Sequence, residues 1–113
     1  MGDSLYSKIR ANERFNIDLN VTYSIKGQGK QLKECRITDL SSSGAKIRFP
    51  NTERLSNGAV VTMDIPIPNT ILRIATEAEI MWTRERFNTL ISGVKFTGML
   101  SDSMVRRIAK KTP

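Results

Sequence analysis

Apolar residues alternate with polar ones from residue 15 to residue 98, turn-forming residues separate the runs, and the period changes only in the tail. These observations predict an all-β domain with six short antiparallel strands and a C-terminal helix. A small barrel is the expected closure, because it removes the exposed edges that a flat sheet would leave; a sandwich is the alternative. The chain has 113 residues and is 39% hydrophobic, enough for one core and one domain. The expected division is an N-terminal arm over 1–13 and a barrel with its helix over 14–113.

The first strand is carried by Ile17, Leu19, Val21, Tyr23 and Ile25, alternating with Asp18, Asn20, Thr22 and Ser24. Lys26-Gly27-Gln28-Gly29-Lys30 reads as a hairpin turn, and its two glycines lack the context of a phosphate loop. A second strand is expected over Leu32–Thr38. A third points Ala45, Ile47 and Phe49 inward, with Lys46 and Arg48 outward. Ser56-Asn57-Gly58 turns the chain into a fourth strand of Val61, Met63 and Ile65. Pro66 and Pro68 end it, since proline cannot sit in a central ladder. Leu72, Ile74, Thr76, Ala78, Ile80 and Trp82 keep one face over a fifth strand, on which Trp82 is expected to be a core anchor. After a turn at Phe87-Asn88-Thr89, the sixth strand carries Leu90, Ser92, Val94 and Phe96. Ser101 and Asp102 suit a helix start, Met104 and Ile108 fall four apart, and Arg106, Arg107, Lys110 and Lys111 suit its C-terminal end.

Composition narrows the chemistry. There is no histidine and a single cysteine, which removes the commonest general base, the commonest metal ligand and any internal disulfide. No nucleophile–base pair can be assembled, so the chain reads as a binding module and not an enzyme, with no cofactor. Cys35 lies in a strand pattern and is expected to be buried. The net charge of +7 favours anionic partners. No apolar run is long enough to span a membrane, and a lone cysteine without an apolar leader fits a cytoplasmic protein.

Two short segments flank the first two strands: Arg10-Ala11-Asn12-Glu13-Arg14 and Asp39-Leu40-Ser41-Ser42-Ser43-Gly44. Arginine supplies a planar, permanently charged fork that holds phosphate by paired hydrogen bonds or stacks on a base. Asp39 can accept from the Watson–Crick edge of guanine, and Ser41 can hydrogen-bond base or phosphate. Gly44 permits positive φ or close approach to a ligand. Each segment alone has an ordinary reading, a solvated basic stretch and a tight turn. Together they suggest a grip on a phosphorylated guanine nucleotide. Ser43 in the same segment is a further candidate, and Arg36, Lys46 and Arg48, outward on strands two and three, could extend the anion site or simply be solvent-facing charges.

The ordered combination resembles the PilZ domain family, bacterial receptors for cyclic di-GMP, over roughly residues 9–100. Arg10 and Arg14 match its Arg-x-x-x-Arg motif, and Asp39, Ser41 and Gly44 match Asp/Asn-x-Ser-x-x-Gly. The Phe15–Tyr23 strand, Ala78-Glu79-Ile80-Met81-Trp82 and Gly93-Val94-Lys95-Phe96 are similar as well. The resemblance implies a split-barrel type of six antiparallel strands with a C-terminal helix. The arginines would bind phosphate and stack on guanine, and the second motif would meet the nucleotide from the barrel surface. Ile9 stands where members often carry another arginine, a neighbourhood that influences whether one ligand or an intercalated pair binds. The implied function is a cyclic di-GMP receptor and adaptor that switches its arm and a partner-binding surface in motility or exopolysaccharide regulation. Two alternatives remain: a basic small barrel that binds nucleic acid, disfavoured by few outward aromatics, and a nucleotide-independent adaptor.

Overall fold

A computed structural model describes residues 13–29, 31–50 and 53–111. The strands are β1 (Phe15–Ile25), β2 (Lys33–Leu40), β3 (Gly44–Pro50), β4 (Val60–Pro66), β5 (Arg73–Arg86) and β6 (Thr89–Phe96), followed by helix α1 (Asp102–Lys111). They form a closed antiparallel barrel in the order β1-β2-β3-β6-β5-β4. Pairing of β1 with β4, from Thr22 opposite Asp64 to Ile25 opposite Val61, closes the ring.

The alternation reads directly into the interior. Val21, Tyr23, Ile37, Leu40, Ile47, Phe49, Val61, Met63, Ile65, Ala78, Ile80 and Phe96 are all buried, and so is Cys35. Full burial of an aliphatic or aromatic side chain contributes roughly 1.5–3 kcal/mol, and these residues supply most of the drive to close the barrel. Tyr23 and Phe49 meet edge to face at 4.9 Å between ring centroids. The Tyr23 hydroxyl donates to Glu53, which also accepts from Lys33 Nζ at 3.2 Å. This cluster fastens the β3–β4 connection to the barrel.

Helix α1 packs on β1 and adds Val105 and Ile108 to the core. The Ser101 hydroxyl accepts from the Met104 N–H at 3.2 Å, a cap on one of the free donors of the first turn. No helix among the described residues is long and apolar enough to cross a membrane.

Three local expectations change. Leu32 lies before β2 and is exposed, while β2 runs on through Asp39 and Leu40. Leu72 precedes β5 and is exposed too. Trp82 is not a core anchor: it is 39% exposed. A bulge between Ile80 and Trp82 inserts Met81 into the ladder, and one extra residue reverses the side a side chain faces. The lengths of β5 and β6 also differ. The β5–β6 register ends at Ala78 opposite Phe96, so among the described strands Arg73–Thr76 pair with β4 alone.

Candidate functional site

Arg14 stands immediately ahead of β1, and Asp39 is the penultimate residue of β2, opposite Asn16. The buried Leu40 pins the end of that strand. A register shift between Ile37 and Asp39 sets the carboxylate on the outer surface opposite Lys46 of β3. The Arg14 guanidinium then lies 3.7 Å from Asp39 Oδ2, with the arginine side chain 67% exposed. That distance is beyond a good hydrogen bond, and such a pair contributes less than about 1 kcal/mol. Arg14 is tethered near the carboxylate yet open to an anion.

Ser41–Ser43 make the β2–β3 bend. The Ser41 N–H donates to the Gly44 carbonyl at 2.9 Å. The Gly44 N–H donates to Ser41 Oγ at 3.2 Å, and Ser41 and Ser43 hydroxyls lie 3.3 Å apart. The Ser41 side chain therefore organises the bend from within. Gly44 is not in the left-handed region. Its constraint is steric: a Cβ there would run into the Val94 carbonyl of β6. Glycine lets β3 approach its neighbour at the point where the bend enters the sheet.

One row of the outer surface runs through Asp39, Lys46, Gly93 and Trp82, in register across β2, β3, β6 and β5. The Trp82 indole occupies the space above Gly93 that a Cβ would fill. A cavity of about 250 Å³ opens along this row, lined by Arg14, Ser43, Lys46, Trp82, Gly93 and Lys95 among others. Arg14, Lys46 and Lys95 bring cations to it, Trp82 brings an indole and Gly44 lines it as well; Asp39 and Ser41 do not line it, and Asp39 reaches it only through its approach to Arg14. An anionic ligand with a flat, hydrogen-bonding base fits that chemistry. The Arg84 guanidinium lies 5.8 Å from the Trp82 ring centre and braces the indole from outside the cavity.

The other candidates divide. Ser43 and Lys46 line the cavity, whereas Arg36 and Arg48 face each other one row away. Arg36 Nε donates to Asp18 at 2.7 Å and Arg36 NH1 to Asn20 at 2.8 Å. That hydrogen bond holds the Asp18 carboxyl below its ordinary value and raises the guanidinium. Arg36 is thus already engaged on its own strand pair. Ile9 and Arg10, with the rest of 1–12, lie outside the described residues. Sequence reasoning did not assign Trp82, Gly93 or Lys95 to the site. A bulge leaves no mark on the hydrophobic pattern, and the pairing of tryptophan with glycine exists only once β5 and β6 are in register.

The family profile described as "PilZ domain" matches residues 8–110. Comparison with curated protein sequences gives no match. Among solved structures, the Bacillus subtilis inhibitor of motility (MotI/DgrA) superposes with a TM-score of 0.67 at 11% identity, covering 88% of this chain and 47% of that one. The PilZ domain of CeSA from a cellulose-synthesizing bacterium gives 0.60 at 17% identity, covering 87% and 95%. The Borreliella burgdorferi PlzA protein in complex with c-di-GMP gives 0.60 at 17% identity, covering 96% and 46%. The chain spans about half the length of the inhibitor and of PlzA. At these identities the likeness is one of fold.

Proposed function

This chain belongs to the PilZ domain family, and on that premise we propose that it is a cytoplasmic receptor for cyclic di-GMP that relays occupancy to a protein effector. The observation that carries the reading is an exposed Arg14, only loosely paired with Asp39, that lines one cavity together with Trp82. Arg14, joined by Arg10 from the arm, takes phosphate and the face of a guanine. Asp39 accepts from the base edge, Trp82 stacks on it, and Lys46 and Lys95 add positive potential. PlzA, with the same barrel, was solved bound to this nucleotide. In the switching step, the arm over residues 1–13 closes on the ligand and changes the surface offered to the effector.

A calorimetric titration with cyclic di-GMP tests the proposal. Arg14→Ala and Arg10→Ala are each expected to lose about 2–4 kcal/mol of binding, a charged hydrogen-bond pair and a stack. Absence of heat with wild type at high micromolar ligand would sink it.

A second reading, a nucleotide-independent adaptor, has its own support. Ser41 and Gly44 serve the bend and the β3–β6 approach whatever is bound. Arg14 separates the two readings, because its exposed, loosely paired guanidinium has no comparable duty among the described residues. If Arg14→Ala leaves partner capture unchanged with and without nucleotide, the adaptor reading stands.

A further inference from the structure

β5 outruns β6. Beyond the pair Ala78–Phe96, the Thr97 N–H donates to the Glu77 carbonyl at 2.9 Å and the chain then turns away, its Leu100 N–H donating to the Ser42 carbonyl at 2.8 Å. Glu77 thus directs its backbone groups to the side where β6 has ended. Backbone groups in a strand alternate sides with period two, so those of Ala75 and Arg73 face the same way. Among the described residues no strand lies beside them. The gap is a cleft of about 390 Å³, floored by Ile74–Glu77 and walled by Thr97–Leu100. Met99, on its wall, is 63% exposed, and Ile71 and Leu72, just ahead of β5 in the chain, are 98% and 61% exposed.

Edge strands are usually guarded by proline, a bulge or an unpaired charge. Residues 73–77 contain no proline, and their register with β4 is unbroken. Their charges are turned elsewhere: Arg73 Nε lies 2.8 Å from Asp64 Oδ2, and Glu77 pairs with Lys26 at 3.8 Å. We infer that this cleft is a strand-addition site, taking an extended, alternately apolar segment of an acidic protein partner. Backbone groups of Arg73 and Ala75 that no strand among the described residues pairs are complemented by another peptide backbone; a lipid or nucleic acid brings none. From Arg73 to Glu77 the edge runs about 13 Å at 3.3 Å per residue, room for a short strand. A second copy is a poorer occupant. It would bring its own 97–100 segment to the same edge, and two chains of net charge +7 repel, whereas that charge attracts an acidic partner. The site needs only the open edge and stands apart from the nucleotide reading.

The probe is the synthetic peptide acetyl-Glu-Val-Thr-Val-Thr-Val-Glu-amide, titrated into the labelled full chain and followed by amide NMR. The Arg73 and Ala75 N–H signals are expected to shift, and their hydrogen exchange to slow at least tenfold at saturation. The same peptide N-methylated at every amide is expected to do neither. Met99→Glu, a surface change, is expected to weaken the peptide at least fivefold, and Ala75→Pro removes the central edge donor. Three results overturn the inference: no response at millimolar peptide, shifts confined to other residues, or slowed exchange at Ala75 that tracks protein concentration without peptide, which assigns the edge to a second copy.

Discussion

Trp82 and Gly93 form one unit: the indole lies where a side chain on residue 93 would have to be. The exposure of Trp82 follows from the β5 bulge, but its place in the cavity lining follows from the missing Cβ across the ladder. Gly93→Ala is therefore expected to displace the indole while the barrel survives, because the clash is with a side chain that has solvent to move into. Tryptophan emission should shift in the free protein, and cyclic di-GMP affinity should fall about tenfold, the loss of part of a stacking contribution of 1–3 kcal/mol. Unchanged emission and affinity would remove Trp82 from the site.

Gly44→Ala has the opposite character. The added methyl meets the Val94 carbonyl, part of the backbone, which cannot rotate away. β3 and β6 must separate where the bend enters the sheet. The expected cost is about 2–3 kcal/mol, in the range of overpacked interiors, read as a lower urea midpoint. Arg14→Ala should leave that midpoint nearly unmoved, since the guanidinium is exposed and its pairing with Asp39 is loose at 3.7 Å.

Ser92 sits fully buried on β6, and its hydroxyl has no hydrogen-bond partner among the described residues. An unsatisfied buried polar group costs roughly 1–3 kcal/mol, part of which is returned when the oxygen is deleted. Ser92→Ala is expected to raise stability by about 0.5–1 kcal/mol in urea denaturation. A destabilised variant would mean that the hydroxyl has a partner.

Burial pushes the Cys35 thiol up from its ordinary value of 9.0 to about 12. Below pH 9 the thiol is protonated in both the folded and unfolded chain, and the contribution is fully present. Above it the unfolded thiol ionises while the folded one keeps its proton. Stability should then fall by roughly 1.4 kcal/mol per pH unit until the folded thiol itself titrates. Burial and Glu53 raise the Tyr23 phenol also, so a second loss of the same sign begins near pH 10.0. Cys35→Ala should flatten the decline in stability between pH 9 and 10, measured by urea midpoints across that interval.

The barrel was legible because its signal is repeated. Val21, Tyr23, Ile47, Phe49, Met63, Ile65 and Val94 each obey the same two-residue period, and one face of each strand must be dry. The Arg14–Asp39 approach was legible because both positions flank paired strand ends. Trp82 was not, since a single inserted residue inverts the alternation without altering composition. Leu72 and Leu32 misled for a related reason: an apolar residue beside a strand continues the pattern on paper whether or not the chain has already turned. The positive φ expected of Gly44 is absent, because glycine signals several constraints and only the neighbouring strand shows the steric one that applies here.

The Phe96 N–H donates to the Ser43 carbonyl at 2.8 Å, and Leu100 donates to Ser42 at the same distance. The serine bend is thus spliced to the run-out of the last strand and to the lead of the terminal helix. It cannot relocate alone: a pull of even an ångström there either snaps both amide links or drags residues 96–100 along. A grip on one rim of the barrel is mechanically a handle on the wall of the next groove.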